Sequence, residues 1–67
     1  MLGKVKWYDK GRGIGVIEGQ DGNAVSFDRY TLQVYAGHLS TSNGQEVEFE
    51  VVKGSNGQEA KNLHILS

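Results

Sequence analysis

Residues 3 to 18 read GKVKWYDKGRGIGVIE, two short runs rich in apolar residues that are separated by the segment DKGRG. Short apolar runs bounded by Gly, Asn, Asp and Ser are typical of β-strands joined by tight turns. The pattern continues along the chain, which contains ten glycines and no proline. We therefore predict five strands, at about residues 4–8, 14–18, 24–28, 46–53 and 59–65, with GSNG as the turn between the last two.

The segment between the third and fourth strands, RYTLQVYAGHLSTSNG, is longer than the other connections. Its residues Leu32, Tyr35 and Leu39 are spaced like one or two helical turns, so we predict a loop that contains a short helix. Three strands linked by short turns, a long excursion and a final pair fit an all-β, five-stranded antiparallel Greek-key barrel of the OB type, formed as one domain by residues 1–67. An SH3-like barrel is the competing architecture.

Alternation along the strands predicts which side chains face the core. In the fourth strand, glutamates alternate with apolar residues, so the glutamates should be solvated and the apolar residues buried. In the second strand, Ile17 and the glycines share the inward parity, which places Ile14 and Val16 on the outside. The predicted inward residues of strands two to four are Ile17, Val25, Phe27, Val47, Phe49 and Val51.

The composition limits the classes of function. The chain has 67 residues, no cysteine, 37% hydrophobic and 22% charged residues, which is typical of a small globular domain that contains no disulfide. A cavity that encloses a substrate is improbable at this size, so surface binding is favoured over catalysis. His38 and His64 are far apart and lack clustered ligands, so no metal or cofactor is expected. No apolar run approaches membrane length, and a cytoplasmic location without membrane contact is expected.

The charges are distributed unevenly. The net charge is −1, yet residues 1–17 hold four of the seven Lys and Arg residues and only one acid, Asp9. The remainder holds three basic residues against seven acidic ones. A positive segment on an otherwise acidic chain is expected if one face meets phosphate, although chance clustering of solvated cations explains the same pattern.

The run RGIGVI partly matches an RNA-binding signature in which a basic residue, glycines and aromatic rings alternate. Arg12, Gly13 and Gly15 keep the basic residue and the glycines, whereas Ile14 and Val16 stand where the rings would be. The segments GKVKWY, RGIGVIE, VEFEVV and GQEAKNL together resemble the bacterial cold-shock proteins over nearly the whole chain. That resemblance implies an OB barrel whose first three strands bind single-stranded RNA or DNA, by stacking bases on rings while lysines follow the phosphates.

The resemblance carries over to this chain only in part. Trp7 and Tyr8 match the two aromatic positions of the first strand. Ile14 and Val16 replace the rings of the second strand, and Ser26, Asp28 and Arg29 replace the aromatic, histidine and aromatic residues of the third. We expect weak binding of a few nucleotides, helped by Tyr30, Tyr35 and His38 if the long loop folds over the platform edge. The candidate site residues are Lys4, Lys6, Trp7, Tyr8, Lys10, Arg12, Ile14, Val16 and Arg29.

The sequence leaves three alternatives open. Strict alternation from Val5 would bury Trp7 in the core, whereas the resemblance places it on the surface. The exposed pair Ile14 and Val16 keeps apolar area but loses base stacking, which would suit a protein partner or a homodimer. The chain is also compatible with a module of a longer polypeptide.

Overall fold

The computed structural model describes residues 1–55 and 57–66, and in them it confirms the five predicted strands to within two residues at each end. Asn56, in the predicted turn GSNG, lies outside the described residues, so that turn stays a prediction. The elements are β1 (Leu2–Asp9), β2 (Ile14–Gly19), β3 (Ala24–Asp28), α1 (Arg29–Ala36), β4 (Glu46–Gly54) and β5 (Gly57–Ile65).

The strands form a closed barrel in the order β1-β2-β3-β5-β4. This is the Greek-key order of an OB barrel, so the predicted fold class is confirmed over the SH3-like alternative. Neighbouring strands pair antiparallel except at the junction of β3 and β5, called the β3–β5 seam below. There the two strands pair in parallel through Ser26 and Glu59. Parallel neighbours need a long connection between them, and the excursion through α1 and β4 supplies it.

Helix α1 occupies the first half of the long excursion. It begins after Asp28, whose Oδ1 accepts a hydrogen bond of 2.8 Å from the backbone N–H of Thr31. It ends at Gly37, which adopts the left-handed conformation at φ 69° that favours glycine. Leu32 is fully buried, as the helical spacing predicts. Leu39 lies beyond the helix and is 68% exposed, so its assignment to the same helical pattern is wrong.

The core fills the barrel and is closed at one end by α1. The alternation predicted for strands two to four is confirmed at Phe27, Val47 and Phe49, which are at most 4% exposed, and Val51 is partly buried against them. The predicted outward residue Ile14 is 41% exposed. The buried hydrophobic residues are Val5, Ile17, Val25, Phe27, Leu32, Val47, Phe49, Ala60 and Leu63.

Candidate nucleic-acid interface

A β-bulge in β1 decides where the tryptophan lies. Val5 pairs with Ile17 and Trp7 pairs with Val16, so Lys6 is an extra residue in β1. An extra residue reverses the facing of the residues that follow it. Val5 is therefore buried while Trp7 is 40% exposed, although strict alternation would place both in the core. The bulge thus puts the indole on the outer face of the β1–β3 sheet.

The same bulge turns Tyr8 inward. Tyr8 pairs with Gly15, which pairs in turn with Phe27, and the two rings stack across the glycine at 5.5 Å between centroids and 13° between planes. The Tyr8 hydroxyl is buried and has no hydrogen-bond partner among the described residues. The structure therefore corrects the expectation that Tyr8 offers a second stacking face beside Trp7, because the two residues point to opposite sides of the sheet.

The outer face of β1–β3 carries an apolar strip with acidic groups beside it. Trp7, Val16 and Ser26 form one row across the three strands. The next row contains Asp9, Ile14 and Asp28. Since Phe27 is buried, its neighbours Ser26 and Asp28 face outward, on the face where the resemblance to cold-shock proteins places them. Trp7 is consequently the aromatic residue of these two rows, and Ile14 and Val16 are their aliphatic residues.

This face forms one wall of a groove of about 500 Å³. Tyr30, Thr31 and Tyr35 of α1 line it from one side, and Val52 and Lys61 of the β4–β5 hairpin line it from the other. The excursion thus brings both tyrosines to the edge of the platform. His38, the third residue expected there, is exposed and does not line the groove.

The basic residues of the first 17 differ in their surroundings. Lys4 lies between Glu18 on β2 and Glu46 on β4, its partners on the two neighbouring strands. The Arg12 Nε lies 3.7 Å from Asp9 Oδ2, although the Arg12 side chain is exposed. Within the described residues, the exposed Lys6 and Lys10 form no ion pair at 4 Å or less. These two lysines therefore have the least competition for a phosphate.

Arg29 supports the turn between β1 and β2. Its Nη2 donates a 2.8 Å hydrogen bond to the Lys10 carbonyl, and its backbone N–H donates to the Gly13 carbonyl at 2.8 Å. Its guanidinium lies over Gly13, where a Cβ would approach Cζ to 3.0 Å. Arg29 does not line the groove. The structure therefore places this candidate site residue against the turn rather than in the groove.

Tyr30 and Tyr35 were expected beside the platform, whereas the groove residues Val52 and Lys61 were not predicted from the sequence. Asp28 followed by a helical pattern and Gly37 after it are recognisable cap signals, and together they predict that α1 carries Tyr30 and Tyr35 past the end of β3. No sequence signal marks Val52 and Lys61, because it is the pairing of β3 with β5 that brings them to the groove.

In the described part of the chain, no helix is long and apolar enough to span a membrane.

Comparison with known proteins decides the family. The sequence model described as the 'Cold-shock' DNA-binding domain matches residues 1–66. The chain belongs to the cold-shock domain family. This confirms the resemblance carried by the segments from GKVKWY to GQEAKNL, and the family it identifies is one of nucleic-acid-binding proteins.

The cold-shock relatives match over almost their full length. Cold shock-like protein CspC of Bacillus cereus is 40% identical over 63 residues, which cover 94% of this chain and 95% of the relative. Cold shock protein CspD of Bacillus subtilis is 43% identical over 61 residues, with 91% of each chain covered. Cold shock-like protein CspE of Escherichia coli is 34% identical over 66 residues, which cover 98% of this chain and 96% of the relative.

Proposed function

We propose that this cold-shock domain binds single-stranded RNA or DNA weakly and with little overall sequence preference, in the cytoplasm, as an RNA chaperone or a regulatory accessory module. The observation that carries the proposal is the β1 bulge, which exposes the Trp7 indole on the sheet face next to Lys6. An exposed ring beside an unpaired cation is the arrangement that binds a base and its phosphate together. Family membership supports the same conclusion.

The expected mechanism combines one stacking position with two phosphate contacts. A base stacked on an aromatic ring contributes about 1–3 kcal/mol to binding, so a platform with one outward ring on β1–β3 binds more weakly than one with several. Ile14 and Val16 supply apolar contact beside the base without stacking it. Lys6 and Lys10 neutralise phosphates, whereas the acidic neighbours of Lys4 and Arg12 reduce the contribution of those two residues.

A protein-interaction or dimerisation module is the second candidate function. The observation that favours it is the apolar character of the groove, in which Trp7, Ile14 and Val52 are each 37–41% exposed. Apolar anchors of this kind, grouped in one depression, are suited to a protein partner or a second copy of the chain. The two candidates differ in what changes the environment of Trp7: an oligonucleotide in the first, and protein concentration in the second.

Fluorescence titration tests the proposal, because Trp7 is the single tryptophan of the chain. We expect a heptanucleotide of uridine or thymidine to quench Trp7 emission at low salt. With a labelled oligonucleotide followed by anisotropy, Trp7→Ala should weaken binding by about 5- to 150-fold, the equivalent of one stacked base. Lys53→Gln is the matched control, since Lys53 is exposed and lies outside the groove. Unchanged emission and anisotropy at about 1 mM oligonucleotide would reject the proposal, given ordinary non-specific affinities.

A further inference from the structure

Hydrogen-bond acceptors from β3 and β5 line part of the groove. Ser26 and Asp28 line it from β3, and Glu59 lines it from β5. Asp28 uses Oδ1 to cap α1, which leaves Oδ2 available to a ligand. The Glu59 carboxylate occupies the space over Gly54, and within the described residues it forms no ion pair.

Ser26 adds an acceptor because its proton is already used. Its hydroxyl donates a 3.2 Å hydrogen bond to the backbone carbonyl of Gln58 across the β3–β5 seam. A hydroxyl has one proton and two lone pairs, so while this bond is kept the oxygen accepts from a ligand in the groove and does not donate to it. This side of the groove is therefore lined by two acidic residues and an accepting hydroxyl. The opposing donors are the Lys61 ammonium and the hydroxyls of Thr31, Tyr30 and Tyr35.

A base that enters this groove is selected by the donors on its edge. Guanine presents two adjacent donors, N1–H and the N2 amino group, which a carboxylate accepts together. Cytosine and adenine present one amino group, whereas uracil and thymine present one N–H between two carbonyl oxygens that repel a carboxylate. We infer that the groove is a base-selecting subsite that prefers an amino-bearing base, guanine first, over uracil or thymine, and that Asp28 and Glu59 determine this preference.

The inference rests on the proposed function and names one selective position within an otherwise sequence-tolerant site. Stacking on Trp7 is open to every base, so it does not produce the preference. The carboxylates produce the preference. They also explain why an acidic residue can occupy the platform of a nucleic-acid-binding domain. Asp28 stabilises a base edge that donates hydrogen bonds to it, whereas it would repel a phosphate at the same place.

Conservative variants test the roles of the two carboxylates. Asp28→Asn keeps the helix cap, because Asn and Asp are about equally good at that position. The amide places a donor beside an acceptor, which matches the N3–H and carbonyl edge of uracil. Glu59→Gln makes the same change on β5 without touching the cap. Glu18→Gln is the control, because it removes an equal charge from β2 and Glu18 does not line the groove.

The experiment compares the affinities of UUUUUUU and UUUGUUU for each variant by anisotropy. We expect the wild type to bind the guanine-containing strand about fivefold more tightly or better, the lower end of one bidentate base contact. Asp28→Asn and Glu59→Gln should each reduce this ratio, and together they should abolish or invert it. Glu18→Gln should strengthen binding of both strands and leave the ratio unchanged.

Three results would overturn the inference. Equal affinity of the wild type for both strands would do so while leaving the proposed function intact, because binding itself would be observed. An equal change of the ratio in Glu18→Gln and Asp28→Asn would show that general charge, rather than the groove, sets the preference. Binding of neither strand would instead reject the proposed function together with the inference.

Discussion

Gly15 allows two aromatic rings to meet across β2. Tyr8 and Phe27 lie on either side of it, and a Cβ at this position would come within 2.5 Å of Phe27 Cζ and 2.9 Å of the Trp7 carbonyl oxygen. Rings that cover a strand glycine are a known means of pinning strand register. The stacked pair therefore fixes the part of β1 that follows the bulge, including the backbone that carries Trp7.

The first residue-level prediction follows from this contact. Gly15→Ala should lower the free energy of unfolding by about 1–3 kcal/mol, because the added methyl group must displace the Phe27 ring. Gly11→Ala is the matched control, since a Cβ there meets only Asp9 Oδ1 at the ordinary distance of 3.4 Å. It should change stability by less than about 0.5 kcal/mol or raise it slightly. Urea unfolding measures both, and equal effects would contradict the packing described.

For single residues, the sequence predicts which side chains face the core only where the strands pair without a bulge. Alternation correctly buries Phe27 and exposes Ile14, because β2 and β3 pair without a bulge. It fails at Trp7 and Tyr8, because nothing in GKVKWY marks Lys6 as the extra residue. Only the family resemblance indicated that Trp7 is at the surface, and it gave no warning that Tyr8 turns into the core.

Helix α1 shows how a cap can connect stability to the site. Asp28 ends β3 on the outer face of the sheet and also caps α1, which carries Tyr30 and Tyr35 along the groove. A cap supplies a partner to a backbone N–H that would otherwise be unpaired at the start of the helix. Substitutions of Asp28 should therefore have two separable effects, one on the stability of the protein and one on nucleic-acid binding.

The element-level prediction concerns the structural effect of Asp28. Asp28→Ala should lower the free energy of unfolding by about 0.5–2 kcal/mol, whereas Asp28→Asn should leave it nearly unchanged, because only the second variant keeps the oxygen that accepts from Thr31. Thermal unfolding followed by circular dichroism gives the comparison. A similar loss in both variants would mean that the charge of Asp28, rather than its capping hydrogen bond, stabilises the helix.

Elements differ in how far the sequence determines them. The strands were predicted because their apolar pattern and their glycine-containing turns are local features. The end of α1 at Ala36 was readable from Gly37, yet the wider spacing to Leu39 extended the predicted pattern beyond it. The β3–β5 seam is not a local feature, and it depends on how the β4–β5 hairpin closes the barrel. Sequence reasoning therefore missed the groove wall formed by Val52 and Lys61.

Over the whole molecule, the net charge of −1 limits binding to local cation contacts. The sequence located the positive segment, but only strand register shows that Lys4 lies between Glu18 and Glu46. Two of the four basic residues, Lys6 and Lys10, are free of acidic partners in the described part of the chain. The number of phosphates neutralised should therefore be nearer two than four.

The salt dependence of the binding affinity measures the number of phosphates that the protein neutralises. A plot of log affinity for a short single strand against log salt should have a slope of about −1.4, as expected for two phosphate contacts, and four contacts would give about −2.8. Lys6→Gln should bring the slope to about −0.7, whereas Lys53→Gln should leave it unchanged. A slope near −2.8 would mean that Lys4 and Arg12 contact phosphate despite their acidic neighbours.

A chemical-shift titration with a short single strand tests the central claim most directly, because it shows which face of the barrel the strand contacts. The proposed interface predicts progressive shifts of the Trp7 indole N–H and of the backbone amides of Val16 and Ile14. The amides of Glu48 and His64, which pair with each other on the side of the β4–β5 sheet that lies outside the groove, should not move. Shifts confined to that side, or shifts at Trp7 that appear only as protein concentration rises, would contradict the proposed nucleic-acid interface.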